Sequence, residues 1–191
     1  VDECLARGKS VQNGGAVYNF TGPQGFGIAN MADALYAIKT LVYEEKKYTL
    51  NQFADALRNN YGEAMPPVIA AQLTTYAAKE LANKGQTPSE RVIAEIYSKI
   101  SENKTPADKK AFYDKLRDDI DSLPKFGNDN KEIDLFARDV AYTYTRPLQD
   151  YKNPRGGIFQ AGLYPVSANV PLGAQTGATP DGRLAGTPVA D

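Results

Sequence analysis

The chain is 191 residues long, with 42% hydrophobic and 24% charged residues and a formal net charge of -1. This ordinary globular balance excludes wholesale disorder and gives no overall pull toward nucleic acid or anionic lipid. There is no histidine and one cysteine, Cys4, so Ser-His-Asp and Cys-His catalysis, histidine-built zinc sites and internal disulfides are excluded from within this chain.

No apolar run approaches the roughly 20 residues needed to span a bilayer. The first residues carry no basic-then-apolar leader, and the single cysteine points to a reducing, cytoplasmic setting. Val1 to Gly8 reads as the last turns of a helix closing on glycine. Ala190-Asp191 falls in a Gly/Pro-rich loop, and both ends are expected to have been cut from something longer.

Ala16-Val17-Tyr18-Asn19-Phe20 alternates and runs into Thr21-Gly22-Pro23, which predicts a short strand and a turn. Gly22-Pro23-Gln24-Gly25-Phe26-Gly27 then precedes a helix. Such a loop can hold a phosphate on backbone N–H groups. It lacks the lysine and hydroxyl of a P-loop, and a tight turn from strand into helix is the plainer reading.

From there the pattern is helical. Ile28, Met31, Leu35, Ile38, Leu41 and Val42 recur at helical spacing, and Thr49-Leu50-Asn51-Gln52 is a capping box for the helix carrying Phe53, Ala56 and Leu57. Pro66-Pro67 opens a helix ending at Gly85. Thr87-Pro88-Ser89-Glu90 and Thr105-Pro106-Ala107-Asp108 both read as a capping threonine with proline at the first helical position. A last helix carries Ile133, Phe136, Ala137, Val140 and Ala141 and should weaken near Pro147. Gly162 to Val170 is strand-like, with Pro165 and Pro171 arguing against pairing on both edges. If it is a strand, Tyr164, Val166 and Ala168 share a face.

The remaining polar groups suggest little chemistry. Asp33, Glu44, Glu45 and the run Asp118-Asp119-Asp121 match no EF-hand spacing and read as solvated faces. Cys4 sits beside Asp2 and Glu3, which raise a thiol pKa, so it reads as a small packed residue. Tyrosines at helical spacing are ordinarily half-buried packing, and Tyr164 is the best polar group available to touch a ligand.

Four stretches change this picture. They are Gly14-Gly15-Ala16-Val17-Tyr18-Asn19-Phe20-Thr21-Gly22-Pro23-Gln24-Gly25; Ala29-Asn30-Met31-Ala32-Asp33-Ala34-Leu35 leading to Glu44-Glu45-Lys46-Lys47; Phe126-Gly127-Asn128-Asp129; and Asn153-Pro154-Arg155-Gly156-Gly157 through Gly162-Leu163-Tyr164-Pro165-Val166 to Thr179-Pro180-Asp181-Gly182-Arg183. Together they resemble the glycyl radical enzymes, in the branch of glycerol and diol dehydratases, related decarboxylases and pyruvate formate-lyase-like proteins. The resemblance implies an α/β fold, with this chain a mostly helical fragment of a ten-stranded α/β barrel. It implies a glycyl radical, installed by a radical-SAM activating enzyme, that oxidises a cysteine whose thiyl radical attacks the substrate. Neither radical-bearing residue matches here: Cys4 lies in Asp-Glu-Cys-Leu, and Gly182 and Gly186 belong to the Thr-Pro-Asp-Gly-Arg loop.

The reading is therefore an internal segment of a dehydratase-like radical lyase, inactive alone and holding no cofactor or metal itself. It has residues 1–59 and 124–191 as barrel segments and 60–123 as a helical insertion forming a surface appendage. By the same resemblance, Tyr164 and Val166 border a small-molecule substrate. Partners would be the activating enzyme and further copies of the same subunit, with no nucleic acid or membrane. The alternatives are a segment of a formate acetyltransferase, a non-catalytic helical interaction module and, more distantly, nucleotide binding at Gly22–Gly27.

Overall fold

The computed structural model describes residues 2–102 and 104–190. Its helices are α1 (Cys4–Arg7), α2 (Ile28–Ile38), α3 (Leu50–Arg58), α4 (Pro67–Asn83), α5 (Glu90–Glu102), α6 (Ala107–Asp121), α7 (Lys131–Leu148) and α8 (Asn169–Gly173). A π-helical turn, Lys39–Glu44, continues α2, and a 3₁₀ turn, Asn60–Gly62, follows α3. Among these residues no helix is long and apolar enough to cross a membrane.

Most helix starts follow the local grammar. Thr49 and Gln52 form the reciprocal capping box of α3, and Pro67 takes the first position of α4. Helix α1 ends on Gly8 at φ 58°, where its N–H reaches the carbonyls of Cys4 and Leu5. Two starts differ. Helix α5 begins at Glu90, and Ser89, not Thr87, lies nearest its first N–H groups, with its Oγ 3.5 Å from Val92 N. Helix α6 begins at Ala107 with no side-chain cap, so Thr105 does not cap it. In α6 the proline itself stands at the cap position, with Pro106 at φ -56° and ψ 147°, so the first helical residue is the one after it.

The main core joins the α2 end, α3 and α6. Leu41, Phe53, Ala56, Tyr61, Tyr113, Leu116 and Ile120 are at most 2% exposed and form one cluster. Helix α6 is thus not the surface appendage expected of residues 60–123, because its Tyr113, Leu116 and Ile120 face inward at 0% exposure. Helix α5 buries no residue. A second small cluster joins Met65, Ile69 and Ala70 to Ala185, with Ile100 of α5 packed against it.

Helix α7 lies along α2. Ala32, Ala34 and Ala37 are buried on α2, as are Ile133 and Ala137 on α7. Small side chains let the two axes approach closely. Tyr36 and Phe136 meet edge to face at 5.7 Å, and Tyr36 Oη donates to Glu132 Oε1 at 2.9 Å.

No strand is present among the described residues, which corrects the two strand expectations. Ala16–Phe20 is irregular, and Asn169 already begins α8. Extended pairing occurs next door, where Thr21 bridges Phe159 and Gln24 bridges Gly162, both parallel and in one register. The bonds run Thr21 N to Ile158 O (2.9 Å), Gln160 N to Thr21 O (2.8 Å), Gly162 N to Pro23 O (2.9 Å) and Gly25 N to Gly162 O (2.8 Å). The rung missing from this sequence is the one Pro23 would donate to Gln160 O, since proline has no N–H. One residue therefore splits a continuous parallel pair into two isolated bridges.

Buried tyrosines, Tyr36 among them, make the fold sensitive to alkali. Tyr113 Oη donates to Asp55 Oδ2 at 2.7 Å, Tyr48 Oη donates to Asp119, and Tyr61 Oη donates to Thr179 O at 2.9 Å. Burial first, then the hydrogen bond and charge of Asp55, push the Tyr113 hydroxyl from 10.0 up to about 12. Tyr48 and Tyr61 are raised as well, again chiefly by burial. A raised folded-state value means the stabilisation is intact below the ordinary tyrosine range and is lost as pH climbs through the folded value. The melting temperature is expected to hold up to about pH 9 and to fall steeply above about pH 10, with a shallower fall in Tyr113→Phe. A flat profile through about pH 11 would contradict this.

The carboxylate runs are not all solvated faces. Asp119 is 18% exposed and pairs with Lys47 at 2.6 Å, because α6 turns it to the core edge beside Leu116 and Ile120. Asp33 accepts from Phe126 N at 2.9 Å, and burial raises its carboxyl.

Candidate functional site

Asn153 holds the base of the site. It is 5% exposed, and its Oδ1 accepts from Arg155 N (2.9 Å) and Gly157 N (3.0 Å), closing the turn after α7. Its Nδ2 donates to Asn19 O and to Thr21 Oγ1 at 3.1 Å. One side chain thus ties the turn to the start of the parallel pair and sets its register.

The pair in turn presents Gln24 and Tyr164. Gln24 Nε2 donates to Tyr164 Oη. Beside them, Gly25 permits a close approach, since a Cβ there would lie 2.6 Å from Leu163 Cδ2 and 2.8 Å from a ring carbon of Tyr144. Gly27, at φ 71°, then turns the chain into α2. The Gly25 N–H is taken by Gly162 O, so it is not available to cradle a phosphate.

Between this loop, the exposed side of α7 and residues 163–165 runs a groove of about 460 Å³. Phe26, Ile28, Ala137, Leu163 and Tyr164 supply apolar and aromatic wall, and Asp134, Arg138 and Thr145 supply polar groups. Most of these polar groups are already engaged. Asp134 Oδ1 accepts from Gly127 N at 3.0 Å, and Arg138 holds Asp139 at 2.9 Å. Arg146 stacks 4.0 Å from the centre of the Tyr142 ring. Tyr164 is 54% exposed. Its hydroxyl, with an acceptor position used by Gln24, keeps its proton to give. A second apolar groove of about 550 Å³ lies across Phe26, between Met31 and Leu35 of α2 and Leu172, Pro180 and Val189.

Of the two residues expected to meet a ligand, Tyr164 borders the first groove, while Val166 is half-buried and is not among its lining residues. With no strand after Gly162, the shared face expected of Tyr164, Val166 and Ala168 does not form. Sequence reasoning missed Gln24 and Asn153. The Asn-Pro-x-Gly-Gly spacing was a visible turn signal for Asn153, whereas nothing local singles out Gln24.

Comparison with known proteins places these features in context. The pyruvate formate lyase-like family model matches residues 1–173. A solved structure concerning 1,2-propanediol dehydration in Roseburia inulinivorans is 56% identical, with a TM-score of 0.92, over 100% of this chain and 23% of its own. The glycerol-bound form of the B12-independent glycerol dehydratase from Clostridium butyricum is 37% identical, with a TM-score of 0.69, over 100% of this chain and 18% of its own. A probable dehydratase of Escherichia coli, YbiW, is 33% identical over 100% of this chain and 19% of its own length. The chain therefore spans about a fifth of the length of the curated relatives it matches. With the family model covering most of its residues, the chain belongs to the pyruvate formate lyase-like family of glycyl radical enzymes.

Proposed function

We propose that this chain is a segment of a glycyl radical dehydratase acting on a small vicinal diol such as 1,2-propanediol, in which it supplies barrel wall and one side of the substrate pocket. The observation that carries the reading is the 56% identity, over the whole of this chain, to the structure concerned with 1,2-propanediol dehydration. The parallel pairing of residues 21–25 with 158–162 supports it too. A self-standing helical module has no use for an extended pair stapled beneath α7. In this reading residues 1–59 and 124–191 belong to a ten-stranded barrel, with 60–123 between them. The complete enzyme works in the cytoplasm, and a radical-SAM activating enzyme installs its radical.

When present, the radical supplies hydrogen-atom abstraction, and this segment's residues bind and orient. Tyr164 donates its hydroxyl proton to a substrate oxygen, and Leu163 and Phe26, which line the same groove, give the apolar wall that Val166 does not reach here. One donated hydrogen bond is worth roughly a tenfold change in binding. Tyr164→Phe in the complete enzyme is therefore expected to raise KM for 1,2-propanediol about tenfold, with a smaller change in kcat. KM and kcat both within about twofold of the parent would overturn the role of Tyr164. Turnover of the diol by the isolated chain would overturn the segment reading itself.

A further inference from the structure

We propose that Gln24 is a positioning residue for Tyr164, acting through the bare α-carbon of Gly162 to fix which end of the tyrosine hydroxyl faces the ligand. This rests on the reading of Tyr164 as a ligand group.

Two independent observations meet at this point. Gln24 and Gly162 are bridged in the parallel pair, so the Gln24 side chain starts directly beside Gly162. The Tyr164 ring folds back over the same glycine, and a Cβ on Gly162 would lie 2.5 Å and 3.2 Å from two of its ring carbons. Gly162 has no positive φ, so the backbone does not require glycine there. What requires it is the ring. With no side chain between them, Gln24 Nε2 reaches over and donates to Tyr164 Oη.

The direction of that bond decides the chemistry. A phenol has one proton to give and two lone pairs to receive. Because Gln24 donates, one lone pair is used on the protein side and the O–H is kept for the groove. The pair therefore points the phenol proton at an acceptor oxygen on its ligand, as a diol carries.

The test uses the complete enzyme carrying this segment, with radical content per subunit measured in every variant. Gln24→Ala frees the hydroxyl to turn, and KM is expected to rise about fivefold with kcat within about twofold. Gln24→Glu keeps the shape but can only accept, so it turns the phenol proton inward, and KM is expected to rise more than in Gln24→Ala. A merely structural role predicts the reverse order, because glutamate is the closer isostere. Gly162→Ala, compatible with the backbone, is expected to match Gln24→Ala by pushing the ring away. On the chain itself, a nuclear Overhauser contact between the Tyr164 ring and the Gly162 α-protons is expected and should vanish in Gly162→Ala at the alanine α-proton. The inference is overturned if Tyr164→Phe raises KM while Gln24→Ala and Gln24→Glu leave it within twofold, an outcome that leaves the proposed function standing. It is also overturned if glutamate is milder than alanine, or if the ring contact is missing from the parent chain. If Tyr164→Phe moves nothing, both readings fail together.

Discussion

Asn60→Leu is expected to destabilise the chain by roughly 3–5 kcal/mol, among the largest effects of any single polar replacement here. Asn60 is 2% exposed and sits at φ 48°. Its Oδ1 accepts from Ala185 N at 2.7 Å, and its Nδ2 donates to Ala64 O at 2.7 Å. It therefore pins the C-terminal loop to the turn after α3. Leucine would leave the buried Ala185 N–H unpaired, at about 1–3 kcal/mol, and would release the carbonyl of the exposed Ala64 at a smaller cost. It would also carry a bulky side chain in the left-handed region, at about 1–2 kcal/mol. For a chain of this size the melting temperature should drop by about 2–4 °C per kcal/mol. Asn60→Asp separates the terms, since it keeps the acceptor for Ala185 and loses the donor to Ala64. A milder loss is expected, and a Leu variant melting within about 2 °C of the parent would refute the account.

Arg183→Ala is expected to loosen the whole 176–187 loop. The guanidinium makes five hydrogen bonds: to Thr179 Oγ1 (3.1 Å), Leu184 O (3.1 Å), Thr187 O (2.7 Å), Thr176 O (3.4 Å) and Gly177 O. A planar fork with five donors is what lets one side chain collect carbonyls from both limbs of a loop. Removing it takes their donor from Thr187 O and Gly177 O, while Thr176 O keeps Gly186 N and Leu184 O keeps Thr187, and a cost of roughly 3 kcal/mol is expected. Arg183→Lys keeps the charge, but its compact ammonium cannot span the same set, so most of the loss should remain. The local readout is amide hydrogen exchange. Gly186 N, bonded to Thr176 O at 3.0 Å, and Thr179 N, bonded to Arg183 O at 3.0 Å, should exchange much faster in both variants. Unchanged protection at those two amides would show that the loop is held by other means.

The helices were legible because their signals are local. The capping box at Thr49, the proline at Pro67 and the apolar stripes of α2 and α7 announce themselves within a turn or two. The starts expected at Thr87 and Thr105 lie further downstream, at Glu90 and Ala107, and in α6 the proline takes the cap position with an extended ψ in place of the first helical one. The extended pair was misread for a different reason. Alternation in Ala16–Phe20 suggested a strand, whereas the pairing is decided by Asn153, far away in sequence, and by which N–H groups Pro23 lacks. Helix α6 was read as an appendage because amphipathicity says that a face is buried but not against what. The groove had one visible member, Tyr164. Gln24 stayed hidden because its meaning depends on a bridge to Gly162 that no short window contains.

The outer edge of the parallel pair has a consequence for handling the molecule. Residues 21–25 and 158–162 turn one side toward each other, so the outward N–H groups of Gly22 and Gln24 meet no backbone acceptor among the described residues, whereas on the other limb Lys152 bridges Ile158 antiparallel. A ribbon open along its Gly22–Gln24 flank is a template for stray β-segments. Solutions of the chain should thus thicken into oligomers as concentration rises, through lateral stitching rather than through loss of the helical core.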